Sequence, residues 1–296
     1  IFQKYSYLFH HPLNFTMSNW PVFKDFDKSP ADLLGDDFDA KYSLKVKSSG
    51  PYGTTLTSTT TFKENKDCKG CCNCTLVPKL SVKYAHSSGF TVEKFEVTDT
   101  AKASVETSLV GVAPNLKMEF KGNDSDKADL SFKYVAPVAT VTGEVDIYGF
   151  KAAKASVCSG HGDITVGANA DIKMDKMAVQ STNFGLGLGY KMPNIFVGAR
   201  ADSNLSKYTA RWSYDGFKGV NVAGDVTHDS ETNASVVGSY KCNPDTNLKL
   251  KVATCNGGVV YGSVKQSFPN KFSVTGSAEV PASFNSIKFG LNATLG

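Results

Sequence analysis

The end of the chain alternates with a period of two. Across residues 287–296, Ile287, Phe289, Leu291, Ala293 and Leu295 are apolar, while Lys288, Gly290, Asn292 and Thr294 are not. Successive side chains of a β-strand point to opposite faces, so the pattern predicts a strand with one apolar and one polar side. The alternation returns at 41–47 (Tyr42, Leu44 and Val46 against the intervening lysines and serine) and at 79–84 (Leu80, Val82, Tyr84). It recurs again at 116–121 (Leu116, Met118, Phe120), 207–214 (Tyr208, Ala210, Trp212, Tyr214) and 247–253 (Leu248, Leu250, Val252). Turn-forming groups separate the runs: Ser-Gly-Pro at 49–51, Gly-Asn-Asp at 122–124, Asp-Gly at 215–216, Asn-Pro-Asp at 243–245, Asn-Gly-Gly at 256–258 and Pro-Asn at 269–270. Strand cores then fall at 41–48, 54–63, 76–85, 90–97, 102–109, 115–121, 127–134, 138–147, 150–158 and 162–173. They continue at 178–191, 194–201, 206–214, 217–227, 232–241, 246–254, 258–267, 271–280 and 286–295, nineteen in all. No helical periodicity interrupts them. The short connections imply antiparallel neighbours in a meander.

Composition changes the picture only when it is split by face. The chain has 296 residues, 41% hydrophobic and 20% charged, with a mean hydropathy of −0.21. These averages describe a soluble globule. They exclude a disordered chain, which would lack this much apolar and aromatic material. They also exclude membrane helices, because charges break every run well short of ~18 apolar residues. The apolar face of the strands, however, is rich in Ala, Gly, Thr, Tyr and Phe rather than in the bulk a packed sandwich core needs. Most of the strands run 8–12 residues, close to the ~9–11 of a tilted membrane strand. The polar face carries Lys, Thr, Ser and Asn with little bulk, as a water-filled lumen requires. Tyr84, Phe95, Tyr134, Tyr148, Tyr190, Tyr214 and Tyr240 sit where interfacial girdles would place them. The expected fold is therefore an all-β, nineteen-stranded transmembrane barrel. An odd number of strands closes only if the first and last pair in parallel, here 41–48 against 286–295. A soluble all-β binding protein is the competing class.

The amino-terminal region differs. Residues 1–19 hold no acid and resemble no secretory signal, and they read as an extension outside the fold. Residues 20–40 read as a helical segment and hinge, and residues 41–296 as the barrel. Within 20–40, Val22, Phe23, Phe26, Leu33 and Leu34 form an apolar stripe. Ser29 suits an N-cap with Pro30 in the first helical position, Asp32 in the first turn and Gly35 at the end. Such a segment packs either on the barrel exterior or inside the lumen, where its acids meet a basic wall; Lys28, Ser29, Asp32 and Leu33 are the residues it would present there.

Parity assigns the candidate chemistry. Lys41, Lys45, Lys47, Lys79, Lys83, Lys94, Lys117, Lys121, Lys133, Arg200, Lys207, Arg211, Lys249 and Lys251 fall on the polar, inward face. Fewer acids join them: Glu96, Glu119, Glu144, Asp146 and Asp202. The net charge of +4 is too small to imply nucleic acid, but a lumen with excess positive charge concentrates anions. Glu93 shares parity with Thr91, Phe95 and Val97 and is expected to face lipid. An ionisable group in hydrocarbon is costly, which marks it as functional. Cys68, Cys71, Cys72 and Cys74 have the spacing of a compact thiolate metal site, or of an exposed redox-active turn without metal. Gly185, Gly187 and Gly189 do not match a dinucleotide fingerprint, and no helix follows them, so close backbone approach explains them better. No catalytic constellation is found, and no enzyme activity or cofactor is expected.

Several segments together resemble the eukaryotic porin family, the voltage-dependent anion channels. They are the amino-terminal run 23–34 (F-x-D-x-x-K-S-x-x-D-L-L), the first strand at 41–47, Gly89-Phe-Thr-Val-Glu-Lys-Phe95, the run 180–191, and the closing Phe289-Gly-Leu-Asn-Ala-Thr-Leu295. Nineteen is also the strand count known for that family's barrel. The resemblance implies a voltage-gated, weakly anion-selective pore of the mitochondrial outer membrane. Such a pore passes ions, ATP, ADP and phosphate and is embedded in membrane lipids. It also implies that Glu93 is a lipid-facing glutamate tied to gating, self-association and docking of hexokinase-like proteins. The same fold serves the import channel of the outer-membrane translocase, whose acidic and apolar lumen patches the basic wall here does not match. Two features depart from the family: the glycine-rich hinge after the helix is replaced by Asp36-Asp37-Phe38-Asp39-Ala40, and the helix is net acidic.

Overall fold

The computed structural model describes residues 20–64, 74–175 and 178–296. Among them no helix is long and apolar enough to cross a membrane. Strands do the crossing: nineteen form one closed sheet. In chain order the first seven are β1 (Tyr42–Ser49), β2 (Thr54–Glu64), β3 (Cys74–Ala85), β4 (Phe90–Thr98), β5 (Ala103–Val110), β6 (Leu116–Asn123) and β7 (Ala128–Val135). The next six are β8 (Ala139–Asp146), β9 (Ala152–His161), β10 (Ile164–Asp175), β11 (Ala178–Lys191), β12 (Ile195–Asp202) and β13 (Lys207–Phe217). The last six are β14 (Val220–His228), β15 (Thr232–Asn243), β16 (Thr246–Ala253), β17 (Val259–Phe268), β18 (Phe272–Pro281) and β19 (Lys288–Leu295). Each pairs antiparallel with its sequence neighbour, and β1 closes on β19 in parallel, with Tyr42 opposite Leu291 and Val46 opposite Leu295. Closure leaves no unpaired edge, which a strand in hydrocarbon cannot tolerate.

The turns are tight because their residues accept the required backbone. Gly162, at φ +57°, opens the two-residue link between β9 and β10, a position that excludes most side chains. The Asp215-Gly216 pair, expected to turn between strands, instead lies inside β13, which continues to Phe217. There the register slips between Tyr214 and Phe217, and the chain turns at Lys218-Gly219, with Gly219 at φ +77°. A bulge has absorbed the signal that reads as a turn.

Burial is inverted relative to a globular protein. Leu188 and Leu250 on the outer face are 55% and 58% exposed, as lipid-facing residues are in an isolated barrel. The buried apolar clusters lie inside, where the amino-terminal segment meets the wall. That segment is a short 3₁₀ turn (Phe23–Asp25) followed by α1 (Lys28–Gly35). The N-cap lies two residues before the expected Ser29: Asp27 occupies that position without a capping hydrogen bond, and Pro30 sits in the third helical position. Pro is tolerated there because the first-turn N–H groups have no intrahelical partner.

The segment runs around the lumen like a belt. The Thr140 hydroxyl on β8 donates to the Trp20 carbonyl at 2.6 Å, and the 3₁₀ turn contacts β9 and β10. α1 crosses β13, β14 and β15. Phe38 reaches Tyr261 on β17, and the Asp39 carbonyl accepts from Ser277 on β18 at 2.7 Å. The belt thus lines β8–β19 in order and leaves the lumen face of β1–β7 uncovered.

Candidate functional site: the lumen

The belt is seated by apolar contact first. Phe23 is 2% exposed and Phe26 is also buried; their rings stack at 5.8 Å. They lie on the lumen face of β10–β12 because that face is glycine. A Cβ at Gly187 would stand 2.9 Å from Phe23 and 3.0 Å from Phe26, and one at Gly189 would stand 3.1 Å from Phe26. The alternating glycines of β11 are the close-approach positions their spacing suggests, and the approaching group is an aromatic pair. Burying each phenylalanine is worth about 1.5–3 kcal/mol.

Charge then fixes the register. The Asp27 carboxylate, only 3% exposed, accepts from Arg211 Nη1 at 2.6 Å, and Arg200 Nη1 lies 3.7 Å away. Arg200 also packs over the Phe23 ring at 4.8 Å. Asp202 and Asp225 flank the two arginines at 3.4 and 4.0 Å from their Nε atoms, and both Nε atoms are buried without a hydrogen bond. Further along, Asp37 pairs with Lys249 at 3.0 Å and Lys265 at 3.3 Å. Lys251 donates to the Leu34 carbonyl at 2.9 Å and Lys249 to that of Asp36 at 3.3 Å. Burial alone would lift the Asp37 carboxyl, but the two lysines outweigh it and hold its pKa below the ordinary value. Of the residues expected on the lumen helix, Lys28 and Asp32 pair with each other at 2.7 Å. Together with Ser29 and Leu33 they line a cavity of about 620 Å³ between α1 and the wall.

The basic positions therefore divide into two groups. Arg200, Arg211, Lys249 and Lys251 lie under the belt and are matched by it. Lys207 is in register with Asp202, and Lys41 lies 3.3 Å from Asp39. On the uncovered wall, Lys79 and Lys94 share Glu96 at 3.6 and 2.8 Å. Lys83 pairs with Glu93 at 2.7 Å, and Lys117 with Glu119 at 2.8 Å. Lys45, Lys47, Lys121 and Lys133 form no salt bridge among the described residues.

Glu93 is not lipid-facing. Its carboxylate accepts from Lys83 at 2.7 Å and from the Ser108 hydroxyl at 2.9 Å, and lies 3.7 Å from Lys117, all of them lumen residues. The register explains why. Thr91 is opposite Ser108, and Lys94 is opposite Glu106, both inward pairs, while the ladder slips between Val92 and Lys94. This bulge puts Thr91, Glu93, Lys94 and Glu96 on one face, whereas strict alternation sends Glu93 outward. Of the expected cysteine cluster, Cys68, Cys71 and Cys72 lie outside the described residues, as does the side chain of Cys74. Among the described residues no group of three or more His, Cys, Asp or Glu is placed to hold a metal.

The eukaryotic porin family model matches residues 19–290. The chain belongs to the eukaryotic porin family. It is 25% identical over 244 residues to the mitochondrial outer membrane protein porin of Candida albicans, covering 78% of this chain and 83% of that one. An engineered mutant of the Rhodopseudomonas blastica porin superposes with a TM-score of 0.51 at 10% identity, over 79% of this chain and 95% of that one; this likeness shows the fold alone. The protein is thus a porin-type channel of the mitochondrial outer membrane.

Parity also missed lumen groups of this porin. Lys154 pairs with Glu144 at 2.7 Å, and Lys265 with Asp37. Glu106, Asp129, Asp171, Asp225 and Glu279 face inward as well, each opposite a lumen residue. The apolar neighbours Val105 and Leu109 place Glu106 by simple alternation. Lys154 lies among alanines, which mark a face only weakly, and Val157, three positions on, is the first bulky outer residue to set its parity.

Proposed function

We propose that this porin is a voltage-gated, weakly anion-selective diffusion pore that passes ions, ATP, ADP and phosphate. The observation that carries the selectivity is the asymmetry of the lumen. The belt carries six aspartates against two lysines over residues 20–40 and offsets the cations of β12–β17. On the uncovered wall Lys45, Lys47 and Lys133 form no salt bridge and face no acid across the ladder among the described residues, while Lys121 forms no salt bridge but lies opposite Glu106 and Asp129. A permeant anion therefore meets net positive charge along one side of the water-filled path, and fixed charge of one sign raises the local counter-ion concentration.

Voltage gating is supported by the same belt. It is an acidic element held by ion pairs to a basic wall, so displacing it moves charge relative to the membrane field, at about 2.3 kcal/mol per elementary charge per 100 mV. This function assigns no docking or self-association role to Glu93, which faces water. The test is reconstitution into planar bilayers. The expected result is a reversal potential of anion sign in a KCl gradient and closure at both polarities. Changing Lys45, Lys47, Lys121 and Lys133 together to Gln is expected to bring the reversal potential to zero or to cation sign. A cation-selective wild type, or a quadruple variant that keeps full anion preference, would overturn the proposal.

A further inference from the structure

We propose that the mouth of the barrel at the β5–β6 turn is a binding site for a small amphiphilic carboxylate, with the head on Lys133 and Lys117 and the apolar body on the turn. A cavity of about 600 Å³ opens there, lined by Val110, Val112, Pro114 and Val135 and by the two lysines. Pockets of this size suit small organic ligands.

Three independent features point to such an occupant. The first is apolar residues facing water. Val110 is opposite Lys117 and Val135 is opposite Thr140, so both lie on the lumen face. Along β14–β17 the apolar lumen residues Ala223, Val237 and Tyr261 are covered by Leu34, Leu33 and Phe38 of the belt. The belt does not reach β5–β7, and Val110 stays 44% exposed.

The second is a like-charge pair. Lys117 and Lys133 stand directly opposite each other across β6 and β7, an arrangement that destabilises a sheet unless an anion relieves it. Glu119 and Glu93 serve Lys117. No carboxylate of the described residues lies within salt-bridge distance of Lys133.

The third is a preformed wall. The turn is held by hydrogen bonds from the Leu116 amide to the Ala113 carbonyl at 3.2 Å and from the Val135 amide to the Asn115 carbonyl at 3.0 Å. Gly111 at φ +90° and Asn115 at φ +62° fix its path. A ligand entering it does not have to order the chain.

The occupant follows from the lining. An inorganic anion would use the lysines and leave the valines wet. A neutral apolar molecule would use the valines and leave Lys133 without a counter-charge. A monoanion with an alkyl or aryl body satisfies both. It would arrive from the aqueous lumen, since Val110, Val135 and the lysine pair all face inward.

The experiment uses the full chain in lipid nanodiscs with labelled valine methyls. Three water-soluble probes are titrated: 4-phenylbutyrate, the neutral 4-phenylbutanol and butyrate. Phenylbutyrate is expected to shift the methyls of Val110, Val112 and Val135 saturably, with at least tenfold higher affinity than either comparator. Lys133→Gln is expected to weaken it about tenfold, Lys133→Arg to restore it, and Lys271→Gln, in the β17–β18 turn, to leave it unchanged. The proposal is overturned if phenylbutanol or butyrate binds equally well, if the three valines do not move, or if Lys133→Gln keeps full affinity while the barrel spectrum stays intact.

Discussion

Replacing Asp27 by asparagine keeps the side chain's shape and removes its charge. In this porin that leaves Arg211 and Arg200 facing a neutral group, with only Asp202 and Asp225 to offset them. Breaking a buried ion pair from one side costs about 3–5 kcal/mol in a dry interior. The two arginine side chains are 18% and 25% exposed to the lumen and keep other partners, so we take about 2–3 kcal/mol at this site. That corresponds to roughly 30- to 150-fold in the population of the detached belt. Cys158 reports it, being 1% exposed and clustered with Phe23 and Phe26. In a variant with the other six cysteines changed to serine, a water-soluble maleimide reaches Cys158 only when the belt lifts. With reclosing faster than labelling, the rate follows the open population. Asp27→Asn is expected to speed labelling roughly 30- to 150-fold on that scale. Asp32→Asn breaks the exposed pair with Lys28, worth a few tenths of a kcal/mol, and is expected to change the rate less than about threefold. Adding Arg211→Gln to Asp27→Asn removes a stranded cation and is expected to recover part of the loss. Equal rates for wild type and Asp27→Asn would refute the electrostatic clasp.

Three more outcomes follow from the same geometry. Asp37 has a depressed pKa, so its contribution to holding the belt is complete above the unfolded carboxyl pKa of about 4 and is lost as pH falls through the lower folded value. Trp20 fluorescence in a Trp212→Phe background should therefore change below about pH 4 and lose that transition in Asp37→Asn; a transition confined above pH 5 would contradict it. Gly187→Leu puts a side chain where Phe23 and Phe26 lie and should expose Cys158, whereas Gly262→Leu, where a Cβ meets nothing within 4 Å, should leave Cys158 protected. A membrane-partitioning carbodiimide should fail to label Glu93 while a water-soluble one succeeds from the lumen; preferential labelling by the lipid-soluble reagent would return Glu93 to the outer face.

The barrel is legible in the sequence because a membrane strand exposes its two faces to two solvents. Each strand then repeats the same binary code, and errors at one do not propagate to the next. Position 291 reads apolar whether or not its partner Tyr42 is known. Two kinds of residue escape this code. One is the bulge: nothing in Gly89-Phe-Thr-Val-Glu-Lys-Phe95 announces that the ladder slips at Glu93, because the slip is a property of the pairing with β3 and β5. A slip of one residue sends a side chain to the other face. The other is the run of small residues: Ala152, Ala153 and Ala155 around Lys154 mark its face only weakly, and Val157, three positions on, is the first bulky residue to set its parity.

The belt was half legible for a related reason. Its apolar stripe and its acids are local features, and they foretell a helix that seeks an apolar, basic surface. Its seat is non-local. Gly187 and Gly189 on β11 read only as close approach, and Arg200 and Arg211 read as pore-lining bases. Not until Phe23, Phe26 and Asp27 are laid across them do the four positions become one site. The consequence reaches the pore itself. Basic residues counted along the sequence suggest a lumen positive all round, but the acidic belt offsets those on β12–β17. A neutral or basic segment in the same place would leave both walls positive and raise anion preference. If the pore selects anions as proposed, the aspartates of 20–40 help to set that selectivity, acting by the cations they remove from the water path.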